Sequence, residues 1–220
     1  MSSTRMSNSR DRHHRSDSVI ARKALAILRS YWDFLGAFAS AHRTIGAVAP
    51  TSHAVAERMT RLAGIPHVRT VAELGPGTGP ITRSILAALP SNGRLWAFEV
   101  YEPFLDQLRA SIDDPRFTLL ARSAEDVNAI RQEDAAAAGG FDAIISSVPF
   151  SLMEPEQTRA ILREAGKALG PDGVFVALQY HPRYLAPYLR DAFETVERSV
   201  YPWNVPPVLL LRARHPRRQE

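Results

Sequence analysis

Two hydrophobic rhythms alternate along the chain from about residue 64 to 213. Runs of strand length sit at Arg69–Leu74, Arg94–Glu99, 116–121, Phe141–Ser147 and Val174–Tyr180, with further strand-like segments near 193–200 and 207–213. Between them apolar residues recur at helical spacing. Ile81, Ile85, Leu86 and Leu89 do so in 80–89, and similar stretches cover about 103–112, 124–138 and 155–169. Gly139-Gly140 and Gly170-Pro171-Asp172-Gly173 act as stops. Phe141-Asp142-Ala143-Ile144-Ile145-Ser146-Ser147 is nearly continuously apolar, as a strand in the middle of a parallel sheet must be. Alternating strands and helices, without a repeat or an interdomain linker, predict one Rossmann-like, doubly wound α/β domain with a mostly parallel sheet.

The chain ahead of this domain has a different character. Met1 to Asp17 is a polar run without periodicity and is expected to be disordered. Asp17 or Ser18 can cap a helix from Val19 to about His42, whose apolar face is wide and whose polar stripe is narrow. It reads either as a helix packed on the body or as an amphipathic helix at a membrane surface. In the second reading Arg22, Lys23 and Arg29 meet headgroups, and Tyr31, Trp32 and Phe34 enter the interface. Thr51 or Ser52 can cap a second helix over about His53–Ala63. The expected organisation is a tail at 1–17, N-terminal helices at 18–63, the α/β domain at 64–214 and a basic tail at 215–220.

Charge sharpens this picture. Residues 1–43 carry eight Arg/Lys against three acids and residues 212–220 four against one, so the body between them is slightly acidic within a chain of net +4. Basic ends suit an anionic surface. The chain of 220 residues has no cysteine, which excludes disulfides and thiolate metal sites, and its seven histidines show no ligand spacing, so no metal is expected. No stretch approaches the roughly 20 apolar residues of a membrane span. The polar, Arg/Ser-rich start lacks the apolar core of a secretory signal. A cytoplasmic protein held peripherally on the inner face of the cell membrane is the expectation.

The candidate chemistry begins at Glu73-Leu74-Gly75-Pro76-Gly77-Thr78-Gly79-Pro80, a glycine turn between a strand and a helix whose first turn accepts Pro80. The turn is not a dinucleotide fingerprint, because the sixth position is Pro80, and without a lysine it is not a P-loop. It resembles motif I of the S-adenosylmethionine-dependent methyltransferases. The resemblance implies that Gly75, Pro76, Gly77, Thr78 and Gly79 pack against the methionine end of that cofactor and that Glu73 holds its amino group. Glu99 ends the next strand, twenty residues after Gly79, where a carboxylate can accept both ribose hydroxyls; the bland alternative is a solvated strand-end acid. Val100 and, at the end of the central strand, Ser146 complete the expected cofactor edge. The third motif departs from the usual Gly-Asp-Ala, reading Arg122-Ser123-Ala124 followed by Glu125, so Ser123, Ala124 and Glu125 are the adenine-side candidates.

Four segments together resemble the soluble bacterial phosphatidylethanolamine N-methyltransferases over about residues 20–212. They are the amphipathic first helix, Arg43-Thr44-Ile45-Gly46-Ala47-Val48-Ala49-Pro50-Thr51-Ser52, the cofactor motifs, and Asn204-Val205-Pro206-Pro207. The implied activity is methyl transfer to the amine of a phosphatidylethanolamine headgroup, up to three times to give phosphatidylcholine. Phospholipid substrate and an anionic membrane surface are the implied partners. Arg43, Thr44, Ser147, Pro149, Phe150 and Trp203 are the substrate-side candidates. Tyr180, His181 and Asn204 are the candidates for handling the amine proton, and aromatic faces there suit a methylated cation. Ribosomal-RNA adenine dimethyltransferases carry an asparagine where this chain has Ser147, and no nucleic acid is expected as partner. An ornithine lipid as acceptor, an RNA adenine, and a non-enzymatic cofactor-binding membrane protein are the alternatives.

Overall fold

A computed structural model describes residues 52–181, 183–204 and 207–217. The expected first helix and the 43–52 segment up to Thr51 therefore lie outside the described residues, as do Val205 and Pro206. Helix α1 (His53–Leu62) opens the described chain, capped by the Ser52 hydroxyl accepting from the Val55 N–H. Then follow β1 (Thr70–Leu74), α2 (Pro80–Ala88), β2 (Arg94–Phe98), α3 (Glu102–Ser111), β3 (Phe117–Leu120), α4 (Val127–Glu133) and β4 (Phe141–Ser146). The last elements are α5 (Pro155–Ala168), β5 (Leu169–Gln179), α6 (Leu185–Ala192), β6 (Phe193–Tyr201) and β7 (Val208–Pro216).

The seven strands form one sheet in the order β3-β2-β1-β4-β5-β7-β6. The first five neighbours run parallel, and β7 pairs antiparallel with both β5 and β6. β4 is buried at every position but Asp142, as its apolar run requires of a strand covered on both faces. One core layer packs β-strand side chains such as Ile144 and Phe175 with Ile130, Ile161 and Leu189 of α4, α5 and α6. The other packs Val71, Ile145 and Val176 with Met59 of α1 and Ile81 and Ile85 of α2. Register aligns Leu74 with Phe98 and Ser146, and Ser146 with Ala177. The residues that follow these strands therefore share one edge of the sheet. Because β1 continues to β2 on one side and has β4 on the other, the glycine turn stands at the point where strand order reverses, the ligand crevice of open α/β sheets.

Three local expectations change. The helical region expected over 124–138 is a 3₁₀ turn (Ala124–Asp126) followed by α4, which stops at Glu133. There Asp134 turns its carboxylate onto the Ala136 N–H and accepts the Trp96 indole N–H at 3.1 Å, local and tertiary bonds that helical continuation would forfeit. The Gly170–Gly173 stop lies inside β5 as an irregularity, since Phe141 pairs with Leu169 and Ala143 already with Val174. Helix α6 was not expected at all: it is eight residues long with Pro187 at its third position. Proline is tolerated there because first-turn N–H groups have no intrahelical partner. At the C-terminus, Arg212 and Arg214 lie in β7. Arg212 donates to the Leu62 carbonyl at 2.9 Å and pairs with Glu197.

Candidate functional site

The glycine turn is held by its own backbone and by one arginine. Gly75 N–H donates to the Phe98 carbonyl and Gly79 N–H to that of Pro76. Gly75, Gly77 and Gly79 all have positive φ, and a Cβ on Gly79 would sit 2.8 Å from Leu108 Cδ2. Only glycine fits that combination of dihedral and contact. Arg83 on α2 clamps the turn from outside, donating to the Thr78 carbonyl at 2.9 Å and to Ser111 at 2.8 Å. Thr78 and Gly77 remain partly open while Pro76 is buried.

Beneath this turn lies Glu73, with no exposed surface and no hydrogen-bond partner on either carboxylate oxygen. Burial pushes its pKa up to about 8 from the ordinary 4.5. Thr82 lies close enough to oppose that rise without meeting hydrogen-bond geometry, its own hydroxyl also unpartnered; Glu99 adds to the rise and Arg83 opposes it. A buried carboxylate without a partner is costly, and a cation or a set of donors offsets that cost when it arrives. The glycine turn thus covers a buried carboxyl whose ionised form a cation there would stabilise.

Glu99 is also buried but fully engaged. One oxygen accepts from the Val100 and Tyr101 N–H groups at 2.8 and 2.9 Å, and the other from Gly77 N–H at 3.2 Å. Burial raises its pKa, and these three backbone donors work against the rise. It is not a solvated strand-end acid. A carboxylate has about four acceptor positions. Three are taken, so Glu99 has room for one hydroxyl rather than two unless the long Gly77 bond is exchanged. Farther along the edge, Ser123 spends its hydroxyl on the Glu125 N–H, and Arg122 pairs with Glu133 and Asp126. Ala124 and Glu125 form the short 3₁₀ turn beside them, both partly open.

On the other side of the turn, the segment after β4 is stapled to it. Ser147 N–H donates to the Leu74 carbonyl at 3.1 Å, and the Ser147 hydroxyl donates to the Gly75 carbonyl through a short contact. Ser146, wholly buried, accepts from Val148 N–H. Gln179, 3 % exposed at the end of β5, donates to the Val148 carbonyl at 3.1 Å. The sequence reading missed Gln179; the available signal was a polar side chain closing the otherwise apolar run Val174–Leu178. Phe150, a substrate-side candidate, has no exposed surface and lies in the core cluster with Phe141 and Val148. Pro149 beside it stays partly open.

Tyr180 and Asn204 come together across the β5–β7 edge. Tyr180 is half exposed, and partial burial raises its phenol while a hydrogen bond with the buried Asn204 pulls the other way. His181 is exposed and meets Tyr184 edge-on at 6.3 Å. Trp203 is 84 % exposed. Arg43, Thr44 and the six expected membrane residues (Arg22, Lys23, Arg29, Tyr31, Trp32, Phe34) lie outside the described residues. A separate groove of about 420 Å³ runs between α1 and α2, lined by His53, Glu57, Arg61 and Arg83 among others, and none of the glycines or strand-end residues lines it.

Comparison with known proteins gives three findings. A family model described as a methyltransferase domain matches residues 71–173, from β1 into β5. The chain is 26% identical over 181 residues to the ornithine lipid N-methyltransferase of Singulisphaera acidiphila, covering 82% of this chain and 93% of that protein. Among solved structures, it is similar to 1,6-didemethyltoxoflavin-N1-methyltransferase of Burkholderia thailandensis, with a TM-score of 0.62 at 20% identity over 88% of this chain and 89% of that one. It is also similar to the N-methyltransferase NodS of Bradyrhizobium japonicum, with a TM-score of 0.58 at 19% identity over 73% and 96%. At such identities these two likenesses establish the fold, a seven-stranded methyltransferase sheet.

Proposed function

We propose, from a methyltransferase domain whose cofactor is S-adenosylmethionine, that this chain methylates the amine nitrogen of a membrane lipid headgroup. The observation that carries the cofactor side is Glu73. A wholly buried carboxylate with two unpartnered oxygens, under a glycine turn, fits the ammonium of an amino-acid moiety and little else. Glu73 and Thr82 would hold that ammonium, Glu99 one ribose hydroxyl, and Ser123, Ala124 and Glu125 the adenine side. When bound, the cofactor supplies an electrophilic methyl on a sulfonium, which leaves without acid assistance. The chain's task is to present a neutral amine in line with that methyl and to keep water out.

On the acceptor side, Ser147 commits its hydroxyl to the Gly75 carbonyl, so position 147 offers no amide pair matched to a flat exocyclic base amine. A tetrahedral aliphatic amine makes no such demand. Tyr180, a phenol held by Asn204, presents its oxygen to an N–H and a ring face to the cation that methylation produces. Asn204 fixes the orientation of that phenol, and His181 beside it is the candidate to take the amine proton. Phosphatidylethanolamine is the acceptor implied by the family resemblance of the 43–52 segment and of Asn204-Val205-Pro206-Pro207. Ornithine lipid is the second reading, favoured by the relative from Singulisphaera acidiphila. The N-terminal helices at 18–63 would carry the electrostatic attraction to an anionic leaflet, at about 1 kcal/mol per Lys/Arg near the surface. The test is incubation with methyl-labelled cofactor and vesicles holding phosphatidylethanolamine, ornithine lipid or neither, with ribosomal RNA in a parallel arm. Label in one amine lipid and none in RNA is expected; label in RNA alone defeats the proposal.

A further inference from the structure

Five large hydrophobic side chains stand out in solvent among the described residues: Val100 at 49 %, Leu152 at 52 %, Tyr180 at 50 %, Val200 at 66 % and Trp203 at 84 % exposure. Single exposed apolar residues need no explanation. Their common location does. Val100 follows β2, Leu152 follows β4 and Tyr180 follows β5, all three strands parallel. Val200 pairs with Leu209, the residue that also pairs with Gln179, so the end of β6 reaches the same edge, and Trp203 sits in the turn between β6 and β7 there. Four segments distant in sequence thus put their exposed apolar groups on the one edge that also holds the glycine turn, Glu99 and Ser147.

We infer that this strand-end edge is the face by which the protein docks on a lipid bilayer, with Trp203, Leu152, Val200, Val100 and the Tyr180 ring entering the interfacial zone around the mouth of the site. The inference rests on the lipid-acceptor reading, which supplies its physical reason. A headgroup amine reaches the sheet edge while its acyl chains stay in the membrane only if the mouth of the site meets the membrane. Apolar groups on the rim close that junction to water, and an aromatic with a polar tip is suited to the headgroup level. The charge on the edge is mixed: Arg183 is exposed after β5, and so are the acids Glu102 after β2 and Glu154 after β4. The attraction is therefore apolar, and it survives salt. That separates it from any contribution of the basic N-terminal residues, which 1 M salt suppresses by cutting the screening length to about 3 Å.

The chain has three tryptophans, and Trp96 is buried in the core. In the full-length protein carrying Trp32→Phe, Trp203 is thus the surface reporter. With vesicles of phosphatidylethanolamine and phosphatidylglycerol in 1 M NaCl, its emission shifts to the blue and is quenched by acyl-chain-brominated lipid. A chain carrying both Trp32→Phe and Trp203→Phe shows neither effect. Leu152→Ser with Val200→Ser lowers the salt-resistant partitioning by roughly fivefold or more, with cofactor affinity by calorimetry unchanged. The inference is overturned if vesicle-bound protein leaves Trp203 unquenched, if the double serine variant partitions as the parent does, or if no salt-resistant binding exists. It is likewise overturned if the blue shift develops without lipid as protein concentration rises, for then a second copy covers the edge. Quenching without label in any lipid supports the docking face and removes the acceptor reading. Lipid methylation in detergent micelles with Trp203 unquenched on vesicles does the reverse.

Discussion

Replacing Glu73 by glutamine should make the free protein more stable at neutral pH and a poorer binder of its cofactor. The carboxyl titrates near 4.5 when unfolded and near 8 when folded. Between those values the folded chain keeps a proton that the unfolded chain has lost, so stability falls as pH rises through that window and is flat on either side. Each pH unit in the window is worth about 1.4 kcal/mol. The cost of carrying Glu73 is therefore nil below pH 4.5, about 3 kcal/mol at pH 7 and about 5 kcal/mol above pH 8. Glu73→Gln removes this pH-dependent part. The buried amide brings its own penalty of about 1–3 kcal/mol, which does not vary with pH. The diagnostic is thus a slope rather than a single stability. Urea unfolding of both proteins without cofactor, at intervals from pH 5 to 9, should show the variant gaining on the parent by about 3 kcal/mol or more from one end to the other. Calorimetry should show S-adenosylmethionine affinity falling at least about tenfold, as loss of a charge-assisted contact requires. Parallel pH profiles would refute the reasoning, because they would mean that Glu73 is not held as an unpartnered buried carboxyl in the free protein.

Three further outcomes follow from the same contacts. Gly75→Ala forces a side chain onto φ +72° with its Cβ 3.3 Å from Val148 Cγ2, and should cost about 1–3 kcal/mol in chemical denaturation. Glu99→Ala leaves the N–H groups of Gly77, Val100 and Tyr101 without their acceptor; it should lower stability by about 1–3 kcal/mol and cofactor affinity by roughly tenfold, read by urea unfolding and calorimetry. Ser147→Asn puts an amide where the hydroxyl contacts the Gly75 carbonyl, and should cut label transfer to lipid about tenfold or more without creating transfer to RNA.

The strands and most helices were legible because each is written in neighbouring residues: apolar runs for β1, β2 and β4, helical spacing for α2 and α5, glycines where the chain turns. The glycine turn and Glu99 were legible for the same reason, since a strand followed by three glycines and a strand ending in an acid are local patterns. Helix α6 and the early end of α4 were not. Pro187 obscures the first, and the second depends on Asp134 meeting Trp96, 38 residues away. The site divides along the same line. Sequence nominated Glu73, Glu99, Ser147, Tyr180 and Asn204 but could not say which polar atoms would be satisfied. Parallel strands need long crossovers, so the groups that meet at their ends come from remote parts of the chain. Only the folded sheet decides that Glu99 is bound by the turn from Gly77, that Gln179 holds the loop after Ser147, that Phe150 belongs to the core, and that neither carboxyl oxygen of Glu73 has a partner.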